Sequence, residues 1–262
     1  MAAPAAPSLP LVRDGRQRKR WCYVAAFAPE AMVCAGSAQV GVMRRSWWAV
    51  WDRRARTLAE RSWRGGRGIV VEPGLARVPG VMELRVDPGP VRAVEVSCPA
   101  GRAQTWTRKR AGAPVAGWVA LDGERVELAG AAVVDESAGH HARRLDWRWS
   151  AGAGNDTSGR PVAWNLVTGI NDPPTGSERA VWVDGEPREV GPVRFADDLS
   201  SIAGADGATL RFAAESVRAH RERLVLFASD YEQPFGTFSG TLPGGVELRD
   251  GMGVMERHAV LW

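Results

Sequence analysis

Apolar and polar residues alternate along much of this chain with a period of two. In ELRVDPGPVRAVEV, Leu84 and Val86 alternate with charged residues, Asp87-Pro88-Gly89 marks a turn, and Val94 and Val96 resume the alternation. In WVALDGERVEL, Val119 and Leu121 precede Asp122-Gly123, and Val126 and Leu128 follow. In AVWVDGEPREV, Val181 and Val183 lead into Asp184-Gly185. Period-two alternation places successive side chains on opposite faces of a strand. Asp-Gly accepts the positive φ of a tight hairpin turn at low cost. These three segments therefore predict β-hairpins. Further strands are expected at Trp21–Phe27, Met32–Ser37, Ser46–Trp51, Leu145–Trp149, Val162–Gly169, Thr209–Ala214, Arg223–Ala228 and Met252–Trp262. The best helical candidate is Arg53–Trp63, although Asp52-Arg53-Arg54 also reads as the turn of another hairpin.

Composition sharpens this into a fold class. The 30 glycines and 17 prolines are spread through the chain rather than clustered, which suits many short strands. The expectation is an all-β fold of two tandem β-barrels or β-sandwich halves with very little helix. Gly112-Ala113-Pro114 interrupts the pattern. A boundary near residues 112–118 is expected there, with a first half over 20–115 and a second over 116–262. No apolar run approaches the roughly 18 residues of a membrane span, and residues 1–12 lack the apolar stretch of a signal peptide. Cys22, Cys34 and Cys98 are odd in number and widely spaced, with no C-x-x-C. The reading is a cytoplasmic protein with reduced thiols, no structural metal and no cofactor.

Charge points to one end of the chain. The net charge is +4. Arg13, Arg16, Arg18, Lys19 and Arg20 set against Asp14 account for all of it. The expectation is a disordered basic arm over residues 1–19 before an electroneutral body. A neutral body argues against nucleic acid as a partner. The arm offers at most a weak contact to an anionic membrane surface.

Candidate chemistry is sparse. No nucleotide-loop, zinc-protease or nucleophile-elbow motif occurs. Asp135 and Glu136 precede His140, His141, Arg143 and Arg144, the densest ionisable stretch. Glu256 and His258 stand two apart, hence on one face of the last strand, where a carboxylate could hold the imidazole in one tautomer. Twelve tryptophans is a high count. Trp147 and Trp149 share a face with Leu145, and Asn165 follows Trp164 directly. Asp135, His140, Glu256 and His258 are thus candidate acid/base residues converging on one mouth of the second barrel. Trp147 or Trp149 would form the wall, with Asn165 and Arg143 as polar ligand contacts.

Longer words carry a resemblance. TWTRKRAG, DESAGHHARRLDWRWSAG, AWNLVTGINDPP, SERAVWVDGEP, EVGPVRFADDLS, QPFGTFSGTLPGG and GVMERH resemble the bacterial domain-of-unknown-function family 2804. The D-x-x-x-G-x-x-x-R pattern starting at Asp135, with Trp147 and Trp149 after it, is similar to that of the tandem lipocalin-like proteins, which include carotenoid hydratases and tocopherol cyclase. That resemblance implies two lipocalin-like barrels and an apolar, isoprenoid-like ligand. The functional expectation is binding of a hydrophobic small molecule in a barrel cavity. The alternatives are a hydratase or isomerase using acid/base groups at the barrel mouth, and an interaction protein with solid-packed barrels.

Overall fold

The computed structural model describes residues 7–66, 68–223 and 227–262. Strands β1 (Val12–Arg13) and β2 (Arg16–Gln17) form a small hairpin. The first large sheet is built from β3 (Lys19–Phe27), β4 (Ala31–Val40), β5 (Met43–Asp52), β6 (Thr57–Arg64), β7 (Val70–Glu72), β8 (Leu75–Val78), β9 (Met82–Val86), β10 (Val94–Ala100), β11 (Ala103–Leu121) and β12 (Glu124–Gly139). The second is built from β13 (Arg144–Asp156), β14 (Pro161–Thr168), β15 (Ala180–Val183), β16 (Glu186–Glu189), β17 (Val193–Phe195), β18 (Ser201–Gly204), β19 (Thr209–Arg223), β20 (Ala228–Leu242) and β21 (Val246–Leu261).

The two sheets share one wiring, except that the first adds β10, which pairs with β11 off the main strand path. A four-stranded meander opens each half, and the last strand of the half returns to pair with the first, β12 on β3 and β21 on β13. The fold is all-β, with two tandem curled sheets of lipocalin-like form. Neither curl is closed by backbone pairing among the described residues: β6 and β7 end the first strand path, and β16 and β17 the second. No helix among the described residues is long and apolar enough to cross a membrane. The Arg53–Trp63 segment resolves as the hairpin reading, with Asp52 Oδ1 accepting the Ala55 N–H at 2.8 Å in the β5–β6 turn.

Local turn chemistry decides which hairpins form. Asp122-Gly123 joins β11 to β12 and Asp184-Gly185 joins β15 to β16, each with positive φ at both residues. The hairpin expected across Asp87-Pro88-Gly89 does not form. β9 and β10 both pair with β11, β9 at Val115–Val119 and β10 at Ala103–Lys109, and not with each other. The loop between them is a crossover along the long strand. The expected boundary at 112–118 falls inside β11, where Gly112 is only a bulge between Ala111 and Ala113. The chain passes from one sheet to the other at residues 140–143. The basic arm is also ordered where described. His140 Nε2–H donates to the Pro10 carbonyl (3.0 Å), and Arg16 donates to the Ala100 carbonyl (2.7 Å). Residues 1–6, and half of the strand expected at Arg223–Ala228, lie outside the described residues.

Two cores result. Trp164, Leu166, Leu210, Phe238, Leu242 and Met255 fill the second curl. A larger cluster fills the first curl and continues into the seam between the sheets. Glycines make room for the second core. Gly152 faces Gly253 and Gly154 faces Gly251 across β13 and β21. A Cβ on Gly152 would sit 2.3 Å from the Trp164 ring and 2.5 Å from the Met252 carbonyl oxygen. Trp164 is fully buried and donates to Ser150 Oγ at 3.1 Å, so it has little room to move. Gly152→Ala should therefore cost about 2–3 kcal/mol by overpacking. Denaturant unfolding would show it, and an unchanged midpoint would contradict it.

Candidate functional site

The seam between the sheets gathers the polar side chains that neither core explains. Alternation on β13 turns Leu145, Trp147 and Trp149 toward the first sheet, while Ser150 turns into the second core beside Trp164. Register then places partners beside them. Trp149 pairs with Glu256, Trp147 with His258, and Tyr231 with His258 on the far side. Arg218 on β19 pairs with Gln233 on β20. From the first sheet, Lys109, Asp135 and Tyr23 lie in one row across β11, β12 and β3.

Glu256 stands at the centre. Trp147 Nε1–H donates to its Oε1 at 2.8 Å and Gln233 Nε2–H to its Oε2 at 2.9 Å. Tyr23, from the other half, donates to Gln233 Oε1 at 3.4 Å. Burial pushes the Glu256 carboxyl up to about 7, and the charge of Asp135 adds to the rise. The Trp147 and Tyr231 hydrogen bonds and Arg218 pull the other way without cancelling it. Tyr23 and Tyr231 are both pushed well above the usual phenol range by burial.

A second group, centred on Lys109, lies beside it. Lys109 Nζ contacts Asp135 Oδ1 at 2.5 Å and Glu178 Oε1 at 3.2 Å. Trp21 Nε1–H donates to Asp135 Oδ2 at 3.2 Å, and Asn171 Nδ2–H to Glu178 Oε2 at 2.9 Å. Burial works against the Lys109 charge, but the two carboxylates outweigh it and raise its pKa. Burial raises that of Glu178, with Lys109 opposing. This group ties the halves together, since Glu178 belongs to the second and Lys109 and Asp135 to the first. Ion pairs at the rim do the same: Arg53 with Glu215 at 2.7 Å, Arg218 with Glu60 at 2.8 Å, and Arg45 with Glu222.

The residues singled out in the sequence are placed unequally. Asp135 and Glu256 share the seam, close enough for one charge to shift the other. His258 is next to Glu256 on the same face, yet the two form no pair. Its Nε2 shares a hydrogen bond with Ser229 Oγ at 2.9 Å, and its ring packs 4.4 Å from that of Trp147. Burial, with Arg218 and Arg45 nearby, lowers its pKa to about 3, so it is neutral. His140 is turned away to Pro10. Arg143 is exposed, and its carbonyl accepts the Trp262 N–H at 2.9 Å. Asn165 is buried with its amide occupied, accepting from Trp149 Nε1–H at 2.8 Å and donating to the Glu178 carbonyl at 2.9 Å. The expected mouth of the second barrel is therefore the wrong side of the sheet. These side chains face the first half, because the glycine-paired face of β13 is the one that packs the second core.

Lys109, Glu178, Tyr23, Tyr231, Gln233 and Arg218 were not among the expected residues. Rarity was the available signal. The chain has two tyrosines in all, and both reach this seam. Lys109 is one of two lysines among 34 basic residues.

The rim is aromatic and partly open. Trp21, Trp47, Trp147, Tyr231 and His258 are half-buried around the buried Glu256, Gln233 and Asp135. Arg218 stacks 4.9 Å from the Tyr231 ring. A cleft of about 380 Å³ opens at the junction of the halves, lined by Arg16, Cys98, Thr105, His141, Leu145 and Asn171 among others. Leu145 is two residues from Trp147 on the same face, so the cleft adjoins the end of the seam within about 7 Å of strand.

The fold has known counterparts. The structure of an AttH-assigned protein of Nitrosomonas europaea superposes with a TM-score of 0.53 at 13% identity, covering 98% of each chain. Kievitone hydratase from Nectria haematococca superposes with a TM-score of 0.57 at 11% identity, covering 93% of this chain and 88% of its own. CghA gives 0.51 at 12% identity over the same shares. At such identities the likeness is one of fold. No curated protein matches the chain in sequence. Residues 64–262, which include the whole second sheet and every seam residue of β11 and β12, match the family described as Domain of unknown function (DUF2804), and the chain belongs to that family.

Proposed function

We propose that the protein binds an apolar small molecule against the aromatic rim of the inter-sheet seam and transfers a proton to it from Glu256, as a hydratase or isomerase does. The observation that carries this reading is Glu256 itself. It is a buried carboxyl poised near neutrality, with hydrogen-bond donors already aimed at both of its oxygens. Such a group can give its proton at pH 7 and leave a carboxylate that Trp147 and Gln233 hold in place. The aromatic walls keep the local dielectric low and offer flat surfaces to an unsaturated ligand. In a hydration, the proton lost to the substrate is returned by the adding water, so Glu256 ends each cycle as it began. The fold likeness to kievitone hydratase supports the reaction class only as analogy.

Native mass spectrometry of the full chain, purified without detergent, tests the binding half of the reading. A bound apolar species that organic extraction removes is expected. Protein alone, with tryptophan emission unresponsive to an anilinonaphthalene sulfonate probe, would favour the solid-packed interaction protein instead.

A further inference from the structure

We propose that the end of the molecule formed by the β1–β2 hairpin and the β4–β5 turn docks on an anionic phospholipid bilayer. Exposed large hydrophobic residues are few among the described residues, and four gather here: Leu11 (43% exposed), Val12 (55%), Val42 (78%) and Met43 (63%). The fifth, Val217, lies on β19. Backbone bonds hold the four together. The Arg18 N–H donates to the Leu11 carbonyl and the Gly41 N–H to the Arg18 carbonyl, both at 2.8 Å. Leu11 and Gly41 are thus two ladder spacings apart, about 10 Å. Val12 pairs with Gln17, whose side chain covers Gly41.

The charge at this end has the matching sign. Arg13, Arg20 and Arg44 are exposed, and among the described residues none of them is in an ion pair. The first 20 residues carry the whole net charge of +4, with Asp14 the one acid among them. Apolar turn tips flanked by arginines fit an anionic bilayer, where side chains enter the acyl boundary and guanidinium groups meet phosphates. A nucleic acid would use the arginines and leave the four apolar side chains in water. Docking at this end needs no chemistry at Glu256.

Co-sedimentation of the full chain with vesicles tests it. Binding is expected to phosphatidylcholine vesicles containing about one third phosphatidylserine, and not to phosphatidylcholine alone. It should weaken steeply as NaCl rises. Val42→Asp with Met43→Asp should weaken it about tenfold or more, and Arg13→Gln with Arg44→Gln about fivefold per arginine. Thermal midpoints should be unchanged. If the aspartate variant lowers the midpoint, Leu11→Gln with Val12→Gln takes its place. Absence of binding at low salt, equal binding to neutral vesicles, or wild-type binding by the apolar variants would each overturn the proposal. So would duplex DNA binding that the apolar variants leave intact.

Discussion

Replacing Lys109 with methionine should cost the fold about 3–5 kcal/mol, the usual penalty for removing one partner of a buried ion pair. Lys109 is 3% exposed and bridges Asp135 and Glu178, themselves 9% and 1% exposed. Methionine fills a similar volume, so the loss is electrostatic rather than a cavity. Two carboxylates would remain, with Trp21 and Asn171 as neutral donors and no cation between them. For a chain of this size the thermal midpoint should fall by roughly 10 °C. The loss should shrink as pH falls, because protonating either carboxyl removes the repulsion. It should shrink again in Lys109→Met with Glu178→Gln. A loss under about 1 kcal/mol at neutral pH would place the group in the class of solvent-screened surface pairs.

Glu256→Gln should change the pH dependence of stability by a comparable amount. The folded-state carboxyl titrates near 7 against an ordinary value of 4.5. Below 4.5 both folded and unfolded states hold the proton, and the group is neutral with respect to folding. Between 4.5 and 7 the unfolded state releases it and the folded state does not, so stability falls as pH rises and levels off above 7. At about 1.4 kcal/mol per pKa unit the whole effect is about 3 kcal/mol. His141 and His258 act in the opposite sense. Both are lowered to about 3, chiefly by burial, so their contribution is present above the ordinary 6.5 and is lost as pH falls through that range. The wild-type profile mixes these slopes. The difference between wild type and Glu256→Gln isolates one of them: the variant should gain about 3 kcal/mol relative to wild type between pH 4.5 and 8. A constant difference across that range would mean Glu256 is ionised in the fold.

What the sequence reveals is what is local. Asp122-Gly123 and Asp184-Gly185 form hairpins because the turn residues themselves set the geometry. Trp147 with Trp149, and Glu256 with His258, share faces because strand period is fixed by the backbone. Asp87-Pro88-Gly89 misleads because a turn does not choose its partner strand, and β11 offers both flanking strands its own edge. Gly112 misleads because a bulge and a linker have the same composition. The site was half legible for a further reason. Both faces of β13 and β14 are buried, one in the second core and one in the seam, so alternation cannot say which is which. Nor could it reveal partners 69 residues apart, as Lys109 and Glu178 are, or 210 apart, as Tyr23 and Gln233 are. Those contacts exist only because the two sheets meet.

Proton transfer at the seam requires that the Glu256 carboxyl hold its proton near neutral pH. Chains labelled with ¹³C at the glutamate side-chain carboxyl can be titrated by NMR, with Glu256→Gln identifying the resonance. The predicted midpoint is about 7. A midpoint at or below the ordinary 4.5 would show a plain carboxylate clamped by Trp147 and Gln233, and would remove the proton donor from the proposed function.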